Sequence, residues 1–403
     1  MRKTLFYAFV LIAIVIGACQ TTPGPVPGGG GGGGGGAGES EPEPGADPET
    51  DPVTGGGTAG GTLPEICGDP DQLASELYLY TWVEYIDPAI KEQFEADCGV
   101  KVIETNFDSN ETLLASLQAG GAGYDVIVPS DYMVQILISE NMLQPIDYSI
   151  VPNIAHMDAL NVNQYFDPEQ EYTVPYFWGT SGFAVDTNVV TEVTDSWSMA
   201  FDPNSPYCGQ ISMLNDQRET LGAALMYLGY SINDTDPAHL EEAKQLLIAQ
   251  APCVKAYDSQ TNDDLIITGE TVIGHIWTGD AILAGDPDSG GRAGIVYVIP
   301  SEGCTIWQDN LAIPVGAPSP YTAMIFMNYL HQPEIAAQNA EFVGYATPND
   351  AAKEFIDPEM LANEGIYPSD EVAARLQWIE DVGDALQLYD RIWTEFLAAI
   401  GSG

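Results

Sequence analysis

Short apolar runs alternate with helical patterns through the body of this chain. Leu77-Tyr78-Leu79-Tyr80 is an apolar and aromatic run of strand length. It gives way to Asp87-Pro88, where Asp can cap a helix and Pro can fill its first position, so a helix is predicted over about 88–97, stopped by Gly99. Val100-Lys101-Val102-Ile103 reads as the next strand. Asp108 and Glu111 stand at capping-box spacing before Thr112-Leu113-Leu114-Ala115-Ser116-Leu117, which predicts a second helix ended by the glycines that follow. Tyr124-Asp125-Val126-Ile127-Val128-Pro129 then predicts a third strand. The order β-α-β-α-β implies an α/β fold with a parallel sheet covered on both faces. Ligands of such sheets bind in the loops beyond the carboxyl ends of the strands, here 81–87 and 129–132. A second α/β unit follows, with strands over 208–214 and 271–277 and helices over 219–228 and 240–250. Later helices are predicted over 323–330, 333–339 and, long and amphipathic, 375–398. No internal repeat is present.

The first residues obey a different pattern. Arg2 and Lys3 precede an apolar run over 5–16 that is too short for a comfortable membrane span and reads as an export signal. The run closes on Ile16-Gly17-Ala18-Cys19, which resembles the bacterial lipobox, so residues 1–19 are expected to be a lipoprotein signal peptide with Cys19 as the lipidated mature N-terminus. From 20 to about 62 the chain is Gly, Pro, Glu and Thr, with an unbroken glycine run over 28–36. Such a segment cannot bury apolar surface and is expected to be a disordered tether. The folded body is therefore expected outside the cytoplasm, held to the membrane by lipid alone.

Charge narrows the partners. With 59 acidic against 11 basic residues, a formal charge of −48, binding to nucleic acid or to an anionic membrane face is electrostatically unfavourable, and cations are the natural ligands. Most of these carboxylates belong to a solvated surface, and only a few can belong to a site. Five cysteines remain after Cys19, in a compartment where thiols oxidise. The pairing expected is Cys67–Cys98, pinning the entry segment to the end of the first helix, and Cys208–Cys253, with Cys304 left over. Scattered cysteines without C-x-x-C spacing argue against zinc, and no metal or cofactor is expected.

Several segments together resemble the bacterial spermidine/putrescine-binding proteins of ABC transporters, almost continuously over 77–397. They include Leu79-Tyr80-Thr81-Trp82-Val83-Glu84-Tyr85, Ser109-Asn110-Glu111-Thr112, Val128-Pro129-Ser130-Asp131-Tyr132, Val174-Pro175-Tyr176-Phe177-Trp178-Gly179, Ile306-Trp307-Gln308-Asp309-Asn310, Gly344-Tyr345-Ala346-Thr347-Pro348-Asn349 and Asp381-Val382-Gly383. The resemblance implies a two-lobed, type II periplasmic-binding-protein-like fold with the ligand cleft between lobes. One lobe would take 77–180 plus 309–353, and the other 181–308 plus 354–400. It also implies a monomer that delivers a polyamine to the permease of an ABC transporter.

A polyamine is an alkyl chain carrying several ammonium groups, so its site needs carboxylates at ammonium spacing and flat apolar surfaces between them. By the resemblance, Trp82, Tyr85, Trp277 and Trp307 form an aromatic box, where a cation against a ring is worth about 0.5–2 kcal/mol. Asp216 and Glu219, three apart at a strand-to-helix junction, could simply cap that helix; in the family the Asp-x-x-Glu pair binds ammonium groups. Asp309 matches the family's central carboxylate and Glu84 a further partner, while Ser130, Tyr132 and Tyr345 match positions that supply hydroxyls or a ring. Two departures leave the choice between spermidine and putrescine open. Asp280, in Trp277-Thr278-Gly279-Asp280, resembles the putrescine-type members, and Ile379 after Trp378 replaces an expected amide. The empty lobes are expected to stand open and to close about the ligand, because empty buried carboxylates oppose closure.

Catalysis has little support. The four histidines, His156, His239, His275 and His331, stand apart, and no Gly-x-Ser-x-Gly, His-Glu-x-x-His or phosphate-loop pattern occurs. His275 alone could neighbour the cleft, and a structural role is expected for it. The alternative reading is a binding or sensory protein for another cationic solute.

Overall fold

The structure, a computed structural model, describes residues 63–120 and 123–401. The expected signal peptide, Cys19 and the 20–62 tether therefore lie outside the described residues. β1 (Glu76–Thr81) leads into the helix Pro88–Cys98, where the Asp87 side chain accepts from Ala89 N and Gly99 closes the helix at φ 70°. β2 (Lys101–Asn106), the helix Asn110–Gln118 and β3 (Val126–Ile127) complete the first unit, with β2 and β3 both parallel to β1. One cap differs from expectation. Ser109, not Asp108, caps the second helix, its hydroxyl accepting from Thr112 N, while Asp108 instead accepts from the Thr112 hydroxyl. Ser109 has the extended backbone that a cap requires, and the cap lies one residue later than Asp108.

The second unit repeats the logic. β5 (Ile211–Met213) pairs in parallel with both β6 (Val254–Tyr257) and β7 (Ile273–Trp277). Two long strands join the units: β4 (Thr173–Asp186) and β9 (Thr305–Ala312) run antiparallel, with Gly179 opposite Trp307, Thr180 opposite Ile306 and Ser181 opposite Thr305. Nearly every residue of both strands is buried, so the polar alternation of a half-exposed strand is absent. Pro175 sits beside the register shift of β4, where a missing ladder N–H is tolerated. β8 (Ile295–Val298) pairs with β4, and the sheet order is β2-β1-β3-β9-β4-β7-β5-β6. It is a mixed sheet, parallel within each unit and antiparallel at the join.

Two main cores flank the join. One draws on 67–177 and 307–356, around Phe94, Phe177 and Phe326, and the other on 183–304 and 389–396, around Phe183, Trp197 and Phe396. Cys67–Cys98 and Cys208–Cys253 are bonded as expected, and Cys304 is a buried free thiol. The helix expected over 375–398 is shorter: Leu386–Ile400 is helical, and the preceding residues form β10 (Gln377–Trp378), paired with Thr305 and Ile306 of β9. Gly383 at φ 56° and the Asp381 carboxylate, which accepts from Gly383 N, break the periodicity there. No helix among the described residues is long and apolar enough to cross a membrane.

Candidate functional site

The strand ends converge on one cleft of about 1170 Å³, part of it open to solvent. The loops after β1, β2 and β3 line one side, and the loops after β5, β6 and β7 the other. β9 crosses the floor with Trp307 and Asp309. All twelve side chains singled out in the sequence line this cleft: Trp82, Glu84 and Tyr85 after β1, Ser130 and Tyr132 after β3, Asp216 and Glu219 after β5, Trp277 and Asp280 at the end of β7, Trp307 and Asp309 on β9, and Tyr345. No lysine, arginine or histidine is among the described residues that line it.

Asp309 is held at the centre. Its Oδ1 accepts from the Ser130 hydroxyl at 2.6 Å, and its Oδ2 accepts from the Tyr85 phenol. Ser130 occupies the cap position of the helix Asp131–Ser139 yet makes no capping bond with its side chain. Its hydroxyl is given to the site instead, aligned by Asn110, whose amide donates to Ser130 Oγ at 3.0 Å and accepts from Ser130 N at 3.1 Å. Asp131, fully buried behind, accepts from Tyr132 N and Gln308 N.

Rings form the walls. Trp82 and Trp277 meet edge to face with centroids 6.5 Å apart, and the Trp82 indole N–H is fixed by Val128 O at 3.0 Å. Tyr345 lies 4.9 Å from Trp307 and 5.8 Å from Tyr85, edge to face. Both arrangements depend on glycine: a Cβ on Gly179 would stand 2.7 Å from Cζ2 of Trp307, and one on Gly279 would stand 2.6 Å from Cε1 of Tyr345.

Asp216 fills the capping role open to it from the sequence and also lines the cleft. Its Oδ1 caps the helix Gln217–Tyr227 by accepting from Arg218 N and Glu219 N, and Oδ2 is left free of that cap. Glu219 is buried, with Oε1 accepting from Ser181 at 2.7 Å and Oε2 from Thr305 at 2.8 Å, one partner on each joining strand. Arg218 lies outside the lining, stacked 4.8 Å from the Tyr389 ring centroid, and donates to Glu380 O and Asn233. The Tyr132 hydroxyl donates to Glu111 at 3.1 Å.

Burial in the cleft raises the pKa of its carboxylates. Burial pushes Asp309 up to about 6, against the pull of its Ser130 and Tyr85 hydrogen bonds. Burial and then the Asp216 charge push Glu219 up to about 8. Asp280, half-buried, is pushed up to about 8 by burial, by Asp263 and by Glu84. Asp131 and Asp216 are also raised, chiefly by burial. Each shift has the sign of anionic oxygens removed from water without a cation.

The lining also contains residues not singled out in the sequence. Phe107, Asp108 and Asn110 follow β2, and Ser259, Gln260 and Asp263 follow β6. The rule that directed attention to the ends of β1 and β3 applies equally to β2 and β6, so position alone could have found them. Ile379 is among the residues that line the cleft, and Glu380 is not. His275 is buried outside the lining, packed 5.2 Å from Trp197, and burial lowers its pKa to about 3, so it is a neutral core residue. No group of three or more His, Cys, Asp or Glu side chains among the described residues is arranged to hold a metal ion.

Comparison with known proteins agrees with this geometry. Residues 89–368 match the family described as bacterial extracellular solute-binding protein. The spermidine/putrescine-binding periplasmic protein of Escherichia coli is 37% identical over 328 residues, covering 80% of this chain and 91% of the relative. Among solved structures, a putative spermidine/putrescine ABC transporter protein of Listeria monocytogenes is 35% identical with a TM-score of 0.75, covering 80% of this chain and 99% of that one. A lipoprotein of Treponema pallidum is 29% identical with a TM-score of 0.71, at 80% and 99% coverage. The two-lobed periplasmic-binding-protein fold, with its cleft between lobes, is thereby established.

Proposed function

Because the chain belongs to the bacterial spermidine/putrescine-binding proteins, substrate-binding components of polyamine ABC transporters and not enzymes, we propose that it captures a polyamine in the cleft described above and delivers it to a membrane permease. One observation carries this reading: eight carboxylates and a set of aromatic rings line the cleft with no basic side chain among them. An amino-acid or anion site would place an arginine or lysine there for the carboxylate or anion. In the proposed complex Asp309 takes the ammonium nearest the centre, Asp216 and Glu219 take one end, and Glu84 and Asp280 the other. Trp82, Tyr85, Trp277, Trp307 and Tyr345 cover the methylenes between, while Ser130 holds Asp309 in place and Tyr132 adds a ring to the wall. Ile379 puts an apolar side chain where an amide is expected, and spermidine and putrescine are both taken as ligands.

The lobes of this proposal are 77–180 plus 309–353 and 181–308 plus 354–400. Two of their three boundaries fall inside β4 and β9, so closure would bend the two paired strands at Thr180 and Gln308. A bound ammonium cancels the carboxylate charge that opposes closure, which couples binding to movement. Residues 1–19 would direct export, Cys19 would take the lipid, and 20–62 would let the body range from the membrane surface to the permease.

A thermal-shift panel of amines, amino acids, sugars and metal salts tests the ligand class. Spermidine or putrescine at 100 times its Kd should raise stability by about 2.7 kcal/mol. A shift with amino acids or sugars and none with polyamines would contradict the reading. For the anchor, Cys19→Ser should release the protein from the membrane fraction on cell breakage, and retention there would contradict lipidation.

A further inference from the structure

A short segment of the second lobe, 377–380, is fixed to that lobe by side chains from the helix Gln217–Tyr227 and the loop after it. Its first two residues form β10 beside β9. Gln377 Oε1 accepts from Ile232 N at 3.1 Å, and Trp378 O accepts from the Asn233 amide at 2.8 Å. Glu380 N donates to Asn233 Oδ1 at 2.9 Å, and Glu380 O accepts from the Arg218 guanidinium at 3.0 Å. The carbonyl between these two, Ile379 O, has its partner elsewhere.

The Tyr165 hydroxyl donates to Ile379 O at 2.6 Å. Tyr165 belongs to 77–180 and Ile379 to 354–400, so with the lobes proposed above this bond joins one lobe to the other. Burial pushes the Tyr165 phenol well above its ordinary pKa, which keeps it a donor. Its ring meets Phe166 of its own lobe at 5.3 Å and Trp378 of the other at 6.3 Å, both edge to face. Ile379 is buried in an apolar cluster that also holds Phe107, Tyr132 and Phe166 of the first lobe. Tyr165 is not among the residues that line the cleft, although Ile379 is. A longer contact, Gln260 Nε2 to Asp108 Oδ2 at 3.4 Å, also crosses between the lobes, on exposed side chains.

We propose that Tyr165 and the Ile379 carbonyl form a clasp between the lobes, which favours the closed cleft and slows the release of ligand. The inference rests on the lobes of the polyamine reading and uses a polyamine only as its probe. Tyr165 is a positioning residue: it acts through the segment 377–380 and not on the ligand. When the lobes part, its hydroxyl and the carbonyl both exchange this bond for water, so the bond favours closure by its net worth alone. A contact that stabilises the closed state in this way biases the empty chain as well as the occupied one. It therefore acts equally on every ligand that the closed cleft holds.

Tyr165→Phe removes the hydroxyl and keeps the ring. Stopped-flow tryptophan fluorescence of the full chain with spermidine and with putrescine reads association and release separately. Release from the variant should quicken roughly three- to tenfold, the size of one hydrogen bond, by the same factor for both amines and with association nearly unchanged. Gln260→Ala should quicken release less. Unchanged release in Tyr165→Phe, or a larger effect of Gln260→Ala, would overturn the clasp. So would factors that differ between the two amines, because the phenol would then be meeting the ligand. Small-angle scattering of the ligand-free chain gives a second readout: Tyr165→Phe should have the larger radius of gyration, and equal radii would overturn the proposal. If the unaltered chain bound neither amine, the polyamine reading would fail, and the scattering comparison would still decide the clasp.

Discussion

Ser130 Oγ donates to Oδ1 of Asp309 across 2.6 Å, joining the loop after β3 to the middle of β9. Backbone pairing reinforces it, since the two residues form an isolated antiparallel bridge and Asn310 N donates to Pro129 O. The central carboxylate is thus aimed by a hydroxyl that an ordinary helix cap would have used for itself.

Ser130→Ala is expected to weaken polyamine binding less than Asp309→Ala does. The serine only orients and stabilises the carboxylate, a hydrogen bond worth about 1.5–3 kcal/mol when one partner is charged. Loss of Asp309 leaves a desolvated ammonium unpaired, at about 2–5 kcal/mol. Calorimetry on both variants gives the order, and the reverse order would count against this arrangement.

The chain should lose stability as pH rises from about 4 to about 8. Asp309, Glu219 and Asp280 have folded-state pKa values of about 6, 8 and 8, above their ordinary 3.8, 4.5 and 3.8. Between the unfolded and folded values the native state binds more protons than the unfolded chain. The stabilisation is full below the ordinary values and is lost as pH climbs through the raised ones. Calorimetric melting across this window should show a falling midpoint, with a shallower fall for Glu219→Gln. A midpoint that rose with pH would contradict the assignment.

Binding should release protons near neutral pH. A cation in the cleft favours the ionised carboxylates, so protons held by the empty site leave as the ligand enters. Titrations at pH 6.5 in buffers of different ionisation enthalpy should give different heats, with the sign of release. Buffer-independent heats would mean that the carboxylates are already ionised.

Gly279→Ala should displace the Tyr345 ring. A methyl group 2.6 Å from Cε1 must move the ring or the helix Thr278–Gly285, at about 1–3 kcal/mol for an overpacked site. Polyamine affinity should fall with it, whereas Gly290→Ala, in open space but strained by its φ of 97°, should cost stability and leave binding unchanged. Equal binding by both variants would remove Tyr345 from the wall.

What was legible in the chain follows from which forces are local. Asp87-Pro88 and Gly99 bound the first helix because cap and stop act within a few residues, and the site loops were legible because parallel strands place them at one edge. β4 and β9 were hard to see as strands because burial on both faces erases alternation. The final helix was overextended because 375–385 keeps apolar spacing while Trp378 pairs with Ile306, a contact 72 positions away in the chain. Asp263 gave no motif at all, and only the folded sheet brings it to Asp280.

The most direct test of the central claim is a calorimetric titration of spermidine into the mature chain at pH 7.5, beside Asp309→Ala. The account predicts saturable binding of one ligand per chain for the unaltered protein and a loss of about 30-fold or more for the variant, matching the 2–5 kcal/mol expected for an unpaired buried charge. No saturable heat with spermidine or putrescine, or equal affinity in the variant, would contradict it.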